Sequence, residues 1–163
     1  MNTYIYCFDT SSVIELNRKF FQKKSLDVIQ NIEALINSGR LIIHEIVVKE
    51  IRSGKDDIIK WVNKNPIAVR KIDQDQWNLA QRIIQNHQSW FPSSKEEFAD
   101  PWVIALAAIE NDRNKDTLFN YVCVVVAEES QKKERLKMRT ICQEYSIECI
   151  NLEEMFRREN WNI

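Results

Sequence analysis

Apolar positions follow two rhythms along this chain. Short continuous runs at Tyr4–Phe8, Leu41–Ile43, Tyr121–Val126 and Ile147–Ile150 read as strands, and the β-branched Tyr121–Val126 run suits a strand covered on both faces. Between them the apolar residues recur at helical spacing. Val28, Ile29, Ile32, Leu35 and Ile36 make a stripe within Asp27–Asn37, which Gly39 suits as a C-terminal cap. Ile46, Val47 and Ile51 lie on one face of a helix running into Gly54. Asp56–Asn63 and Asp75–Trp90 read as two more helices parted around Pro66, with a loop at Pro92-Ser93-Ser94. Asp100-Pro101 then opens a helix through Ile109, an acid followed by proline being a helix-start signal. Because Val103–Ala108 is apolar all round, this helix is expected at the centre of the fold. Asn111–Thr117 reads as a polar loop, residues 133–145 as a basic helix and Glu153–Arg158 as a terminal helix.

Strands separated by helices predict an α/β chain: three layers, a central mostly parallel sheet of four to five short strands, and helices on both faces. The length of 163 residues, without a linker-like tract or internal repeat, predicts one domain over 1–163. Several function classes drop out. Gly39 and Gly54 are the only glycines and lie fifteen positions apart, which excludes a glycine-rich phosphate loop and a nucleophile elbow. His44 and His87 are too far apart for a helical zinc-binding pair. The four cysteines have no close-paired spacing, and Cys7 and Cys123 sit in apolar runs where a thiol packs as a small hydrophobe. With no signal-like start and no run approaching a membrane span, the expectation is a cytoplasmic chain with free thiols and no membrane partner. The formal net charge of −1 gives no global basic field, so a nucleic-acid surface would have to be local.

In parallel α/β sheets the working crevice lies beyond the carboxyl ends of the strands. Acids gather at those positions here. Asp9 follows the first strand, Glu128 and Glu129 follow the Tyr121–Val126 strand, Asp100 opens the buried helix, and Glu50 lies within the helix after Leu41–Ile43. Carboxylates converging on one crevice repel one another unless a cation is present, and oxygen-only ligation is what magnesium or manganese prefers. Each residue also has a plainer reading: Asp9 and Asp100 as helix N-caps, Glu50 and Glu129 as solvated acids.

The chain resembles the PIN domain, the nuclease fold of VapC-type toxins, and within it a PIN-like branch. The matching segments are Asp9-Thr10-Ser11-Ser12-Val13-Ile14-Glu15, Val48-Lys49-Glu50-Ile51, Ala99-Asp100-Pro101-Trp102-Val103-Ile104-Ala105-Leu106-Ala107 and Val124-Val125-Val126-Ala127-Glu128-Glu129. They span nearly the whole chain, and the Asp100 segment is the most specific. The resemblance implies that Asp9, Asp100 and Glu129 bind magnesium or manganese, with Glu50 as a further acid (in part through water) and Ser11 as site support. Where the family carries a threonine-any-aspartate pattern this chain has Ala127 and Glu129, and Glu128 is the alternative fourth acid. The implied activity is metal-dependent endoribonuclease cleavage leaving a 5′-phosphate and a 3′-hydroxyl. The implied partners are an RNA substrate, a small antitoxin and a second copy in a homodimer.

RNA is a polyanion, so cations must flank such a site. Lys132, Lys133, Arg135, Lys137 and Arg139 stand against Glu134 alone in Gln131–Arg139, which begins just after Glu129. Among the tryptophans, Trp77 and Trp102 are expected in the core, and Trp90-Phe91 is the expected exposed pair. Two competing readings remain. One is a catalytically inactive PIN-like scaffold for RNA or protein, in which Lys49 could act as an internal cation. The other is an all-helical HEPN-type ribonuclease, for which Arg82 and His87 have the required spacing and His87 would act without metal.

Overall fold

The computed structural model describes residues 2–52, 56–92, 98–128 and 133–163; for residues 56 and 133–137 it describes the backbone alone. Five parallel strands form one sheet: β1 (Thr3–Phe8), β2 (Leu41–His44), β3 (Val69–Arg70), β4 (Tyr121–Val126) and β5 (Cys149–Ile150), in the order β3-β2-β1-β4-β5. Six register pairs from Thr3↔Tyr121 to Phe8↔Val126 zip β1 to β4, whereas β3 and β5 are two-residue edge strands. The helices are α1 (Thr10–Leu16), α2 (Leu26–Asn37), α3 (Glu45–Arg52), α4 (Asp56–Lys64), α5 (Gln74–Asn86), α6 (Asp100–Asn114), α7 (Lys133–Glu144) and α8 (Leu152–Arg158). A π-helical stretch over Asn17–Phe21 continues α1, and a 3-10 turn over Pro66–Ala68 precedes β3. The three-layer α/β/α architecture expected from the sequence is the one adopted. A parallel sheet with β1 at its centre is incompatible with the all-helical HEPN reading, and His87 instead ends α5, its Nε2 2.9 Å from Glu144 Oε2.

The alternation of β1 sorts the two faces. Cys7 turns toward α6, where its thiol meets the carbonyl of Val103 at 3.7 Å. Tyr6 turns the other way, and its hydroxyl donates to Glu159 Oε1 at 2.6 Å beside the Arg40–Glu159 ion pair. Val103–Ala107 of α6 are fully buried, as an all-apolar helix must be to leave water. At the end of α2, Gly39 adopts φ +72, the left-handed conformation that lets Arg40 N–H reach back to Leu35 carbonyl at 2.8 Å.

Several local expectations are corrected. Asn111–Asn114 is not a loop but the last turn of α6. Asn111 belongs there because its amide clamps β4: Nδ2–H donates to Cys123 carbonyl at 3.0 Å and Oδ1 accepts from Cys123 N–H at 2.7 Å. β3 was not legible, because two residues carry no alternation. Trp77 is not a core residue; it is 47% exposed and lies on Trp102, ring centroids 5.6 Å apart. Conversely Phe91 is buried against Phe98, and Trp90 stacks on His87, while among the described residues the most exposed apolar pair is Leu118-Phe119. Among the described residues no helix is long and apolar enough to cross a membrane.

Candidate active site

Strand order reverses between β1 and β4: the chain runs outward from β1 through β2 to β3, then returns to the other side of β1 with β4 and β5. At such a switch point the loops leaving the two strands diverge to opposite faces and open a crevice at the carboxyl edge. Asp9 leaves β1 and Ala127-Glu128 leaves β4 at that point. The two exits are stapled together. Asp9 N–H donates to Val126 carbonyl at 2.9 Å, and Ser12 Oγ donates to the same carbonyl at 2.6 Å.

Asp9 is buried and is the N-cap of α1, its Oδ2 accepting from Ser11 N–H at 3.4 Å. The stronger bond comes from the Ser11 hydroxyl, which donates to the same oxygen at 2.7 Å while accepting from Glu128 N–H at 3.1 Å. Ser11 thus fixes the Asp9 carboxylate against the β4 exit, and the capping and site-support readings of these residues describe one geometry.

Glu50, half-buried on α3, is the junction between separate segments. Its Oε2 accepts from the Thr10 hydroxyl, and its Oε1 accepts from Ala99 N–H at 3.2 Å. Thr10 follows Asp9 and Ala99 precedes Asp100, so Glu50 brings the two aspartate-bearing segments to one place. Asp100 does not cap α6: Ala99 holds the N-cap position without a side-chain bond, and Asp100 lies in the first turn, where a carboxylate meets the positive end of the helix dipole. Thr10 entered the sequence reading only within the matched segment Asp9–Glu15; its hydroxyl, one position after a strand-end acid, was the signal that it could bond a second acid.

Glu128 turns to the other side, its Oε1 accepting from Leu152 N–H at 2.9 Å at the start of α8. Glu129 and Lys132 lie outside the described residues, and Lys133, Arg135 and Lys137 are placed only as backbone of α7. Arg139 reaches Cys149. A hydrogen bond from the Cys142 thiol and the Arg139 guanidinium together hold the Cys149 thiol below its usual value, while the same pairing, with burial, pushes Cys142 up. Among the described residues no group of three or more His, Cys, Asp or Glu is placed to hold a metal ion.

Two concavities flank this centre along the carboxyl edge. Beyond β2 and β3 a pocket of about 320 Å³ is lined by Glu45, Lys49, Arg52 and Lys71 over Val48, Val62 and Val69. Beyond β4 and β5 a wider cleft of about 700 Å³ is lined by Glu128, Asn151 and the aromatic residues Phe20, Phe156 and Trp161, with Lys19 and Arg157 at its rim.

The sequence matches, over residues 6–163, the family described as a domain of unknown function, DUF4411. The chain belongs to the DUF4411 family. A comparison with curated proteins found no match. In this DUF4411 chain the matched span takes in every acid of the crevice and both flanking concavities.

Proposed function

We propose that this DUF4411 chain is a divalent-metal-dependent endoribonuclease of the PIN type, working at the carboxyl edge between β1 and β4. The observation that carries the reading is the double bond-acceptor role of Glu50, which unites the Asp9 and Asp100 segments at the topological switch point. Three distant parts of the chain, each bearing an acid, meet at this crevice, and acids brought near one another are costly for stability unless their charge has a use.

The donor types suit a hard cation, because they are carboxylate and hydroxyl oxygens with no imidazole or thiolate. Asp9, Glu50 and Asp100 would hold magnesium or manganese, with Glu129 or Glu128 as the fourth acid. Bound there, the ion would neutralise the phosphodiester and activate the attacking water. The chain's own part is positional. Ser11 keeps Asp9 aimed from β1, and Thr10 with Ala99 N–H keeps Glu50 in a single orientation, so little reorganisation is needed as charge develops on the substrate. A toxin role under control of a small antitoxin, and assembly as a homodimer, extend the same reading.

A second reading is favoured by one observation: among the described residues no three acids are grouped to hold a metal ion. A scaffold that binds RNA without cutting it would have this property.

Manganese calorimetry and cleavage of a mixed RNA pool, with and without chelator, decide between them for wild type and Asp100→Asn. The substitution keeps side-chain size and removes the charge. Loss of ion binding together with at least about a 100-fold loss of cleavage supports the nuclease. Cleavage that persists in chelator refutes it. RNA bound but left intact by the wild type with manganese present identifies the scaffold.

A further inference from the structure

The pocket beyond β2 and β3 is unlike the rest of the carboxyl edge in its charge. Lys49 and Arg52 come from α3 and Lys71 from the residue after β3; all three are exposed at its rim. Among the described residues none of them is ion-paired with an acid, although Arg18, Lys19, Arg113, Lys115, Arg157 and Arg158 all are. The one acid in the lining, Glu45, turns its Oε1 to Ile72 N–H at 2.7 Å. That bond also draws the segment after β3 against the start of α3, which sets Lys71 opposite Lys49 and Arg52.

Beneath the cations the floor is apolar, formed by Val48, Val62 and Val69. A ring of cations over an aliphatic floor matches a ligand with a phosphate at one end and a flat, weakly polar body at the other. Arginine and lysine neutralise the phosphate, while the aliphatic surface takes the face of a base or sugar. The volume of about 320 Å³ suits one such unit rather than a duplex.

The pocket is also placed for this. Successive residues on a helix turn by about 100°, so Glu45, Val48, Lys49 and Arg52 share one side of α3 while Glu50 points to the opposite side. One helix therefore presents a carboxylate to the crevice and two cations to the pocket.

We propose that this pocket binds a nucleoside phosphate unit, and that in the full reaction the unit is a nucleotide of the RNA strand flanking the cut. The second half rests on the ribonuclease reading. A free mononucleotide carries the same chemistry, so the test has two arms. Binding of a fluorescently labelled single-stranded RNA 12-mer in chelator is followed by anisotropy. Binding of adenosine 5′-monophosphate is followed by calorimetry. Each is measured for the full chain, for Lys49→Gln/Arg52→Gln/Lys71→Gln, and for an equally charged control with Lys23→Gln/Lys24→Gln/Lys60→Gln, whose positions are exposed and outside the pocket.

The pocket variant is expected to bind RNA at least about tenfold more weakly, with the salt slope reduced by about 2, as for three lost single-strand phosphate contacts. The control is expected to change by less than about twofold, and both variants to melt with the wild type, since all six residues are exposed. Equal losses in both triples, or none in the pocket triple, overturn the pocket. The two readings fail separately. RNA cut and bound normally by the pocket triple defeats the pocket and leaves the nuclease. Mononucleotide bound by the wild type and lost in the pocket triple, with no RNA binding at all, keeps the pocket and defeats the nuclease. Neither ligand bound by the wild type overturns the pocket.

Discussion

The two ends of the carboxyl edge hold similar side chains in different states. Beyond β5, Lys19 is bound to Glu15 at 2.9 Å and Arg157 to Glu154 at 2.6 Å, and the cleft is walled by Phe20, Phe156 and Trp161. Beyond β3, Lys49, Arg52 and Lys71 are not paired with acids among the described residues, and the floor is aliphatic. A cation already matched within its own helix adds little to the outward field, whereas an unmatched one projects it. By number alone the ends differ little, two basic residues at the cleft against three at the pocket. Their pairing makes only the β3 end attractive to an anion.

The largest expected effect comes from inverting that end. Lys49→Glu/Arg52→Glu/Lys71→Glu is expected to weaken single-stranded RNA binding by about 100-fold or more at low salt, and the loss should shrink as salt is raised, as anisotropy titrations would show. Next comes a pH effect confined to the same end. His44 is fully buried; its Nδ1 accepts from Ile46 N–H at 3.0 Å as α3 begins, and its Nε2 lies 2.9 Å from Gln76 Oε1. Burial holds its pKa below 6.5. The unfolded chain takes up a proton at this residue below about pH 6.5 and the folded chain does not, so stability falls as pH drops through that value, by up to about 1.4 kcal/mol per pH unit. Denaturant unfolding between pH 7.5 and 5 is expected to show a slope smaller by about one proton for His44→Asn, whose side chain can still cap α3. An unchanged slope would move the titration elsewhere.

The smallest effect would erase the contrast between the ends. Glu15, held at a pKa of about 2 chiefly by Arg18, stays charged throughout the neutral range. Removing it and its counterpart with Glu15→Gln/Glu154→Gln releases Lys19 and Arg157, and RNA affinity is expected to rise by about threefold in the same titration. No gain would mean that the wider cleft does not border the strand.

The layers of the fold were legible because the long elements have strong periods. The β4 run Val122–Val126 and the apolar α6 segment Val103–Ala107 admit few alternatives, and both stand where their patterns put them. β3 was lost because it exists through pairing with Ile43 and His44, not through its own residues. The acids of the crevice were legible as strand-end residues, but their partners were not. That Glu50 bonds Thr10 and Ala99 depends on three segments meeting, which no local spacing records. The basic pocket was missed for the same reason, since Lys71 joins Lys49 and Arg52 only across the sheet edge. Trp77 was misplaced because a tryptophan on an amphipathic helix was assigned to the buried face, whereas it lies over Trp102 from outside.

The Asn111 clamp has a bearing on the chain's behaviour at high concentration. β5 pairs with β4 only at Val125 and Val126, so above that point the outer flank of β4 has no strand beside it. Cys123 directs its N–H and carbonyl toward that vacancy, and an open strand flank of this kind is a template on which another chain can add. Asn111 occupies both groups with one amide, as a further residue of β5 would. A single side chain of α6 thus closes the stretch of β4 flank that β5 leaves uncovered, where another chain's strand could otherwise add.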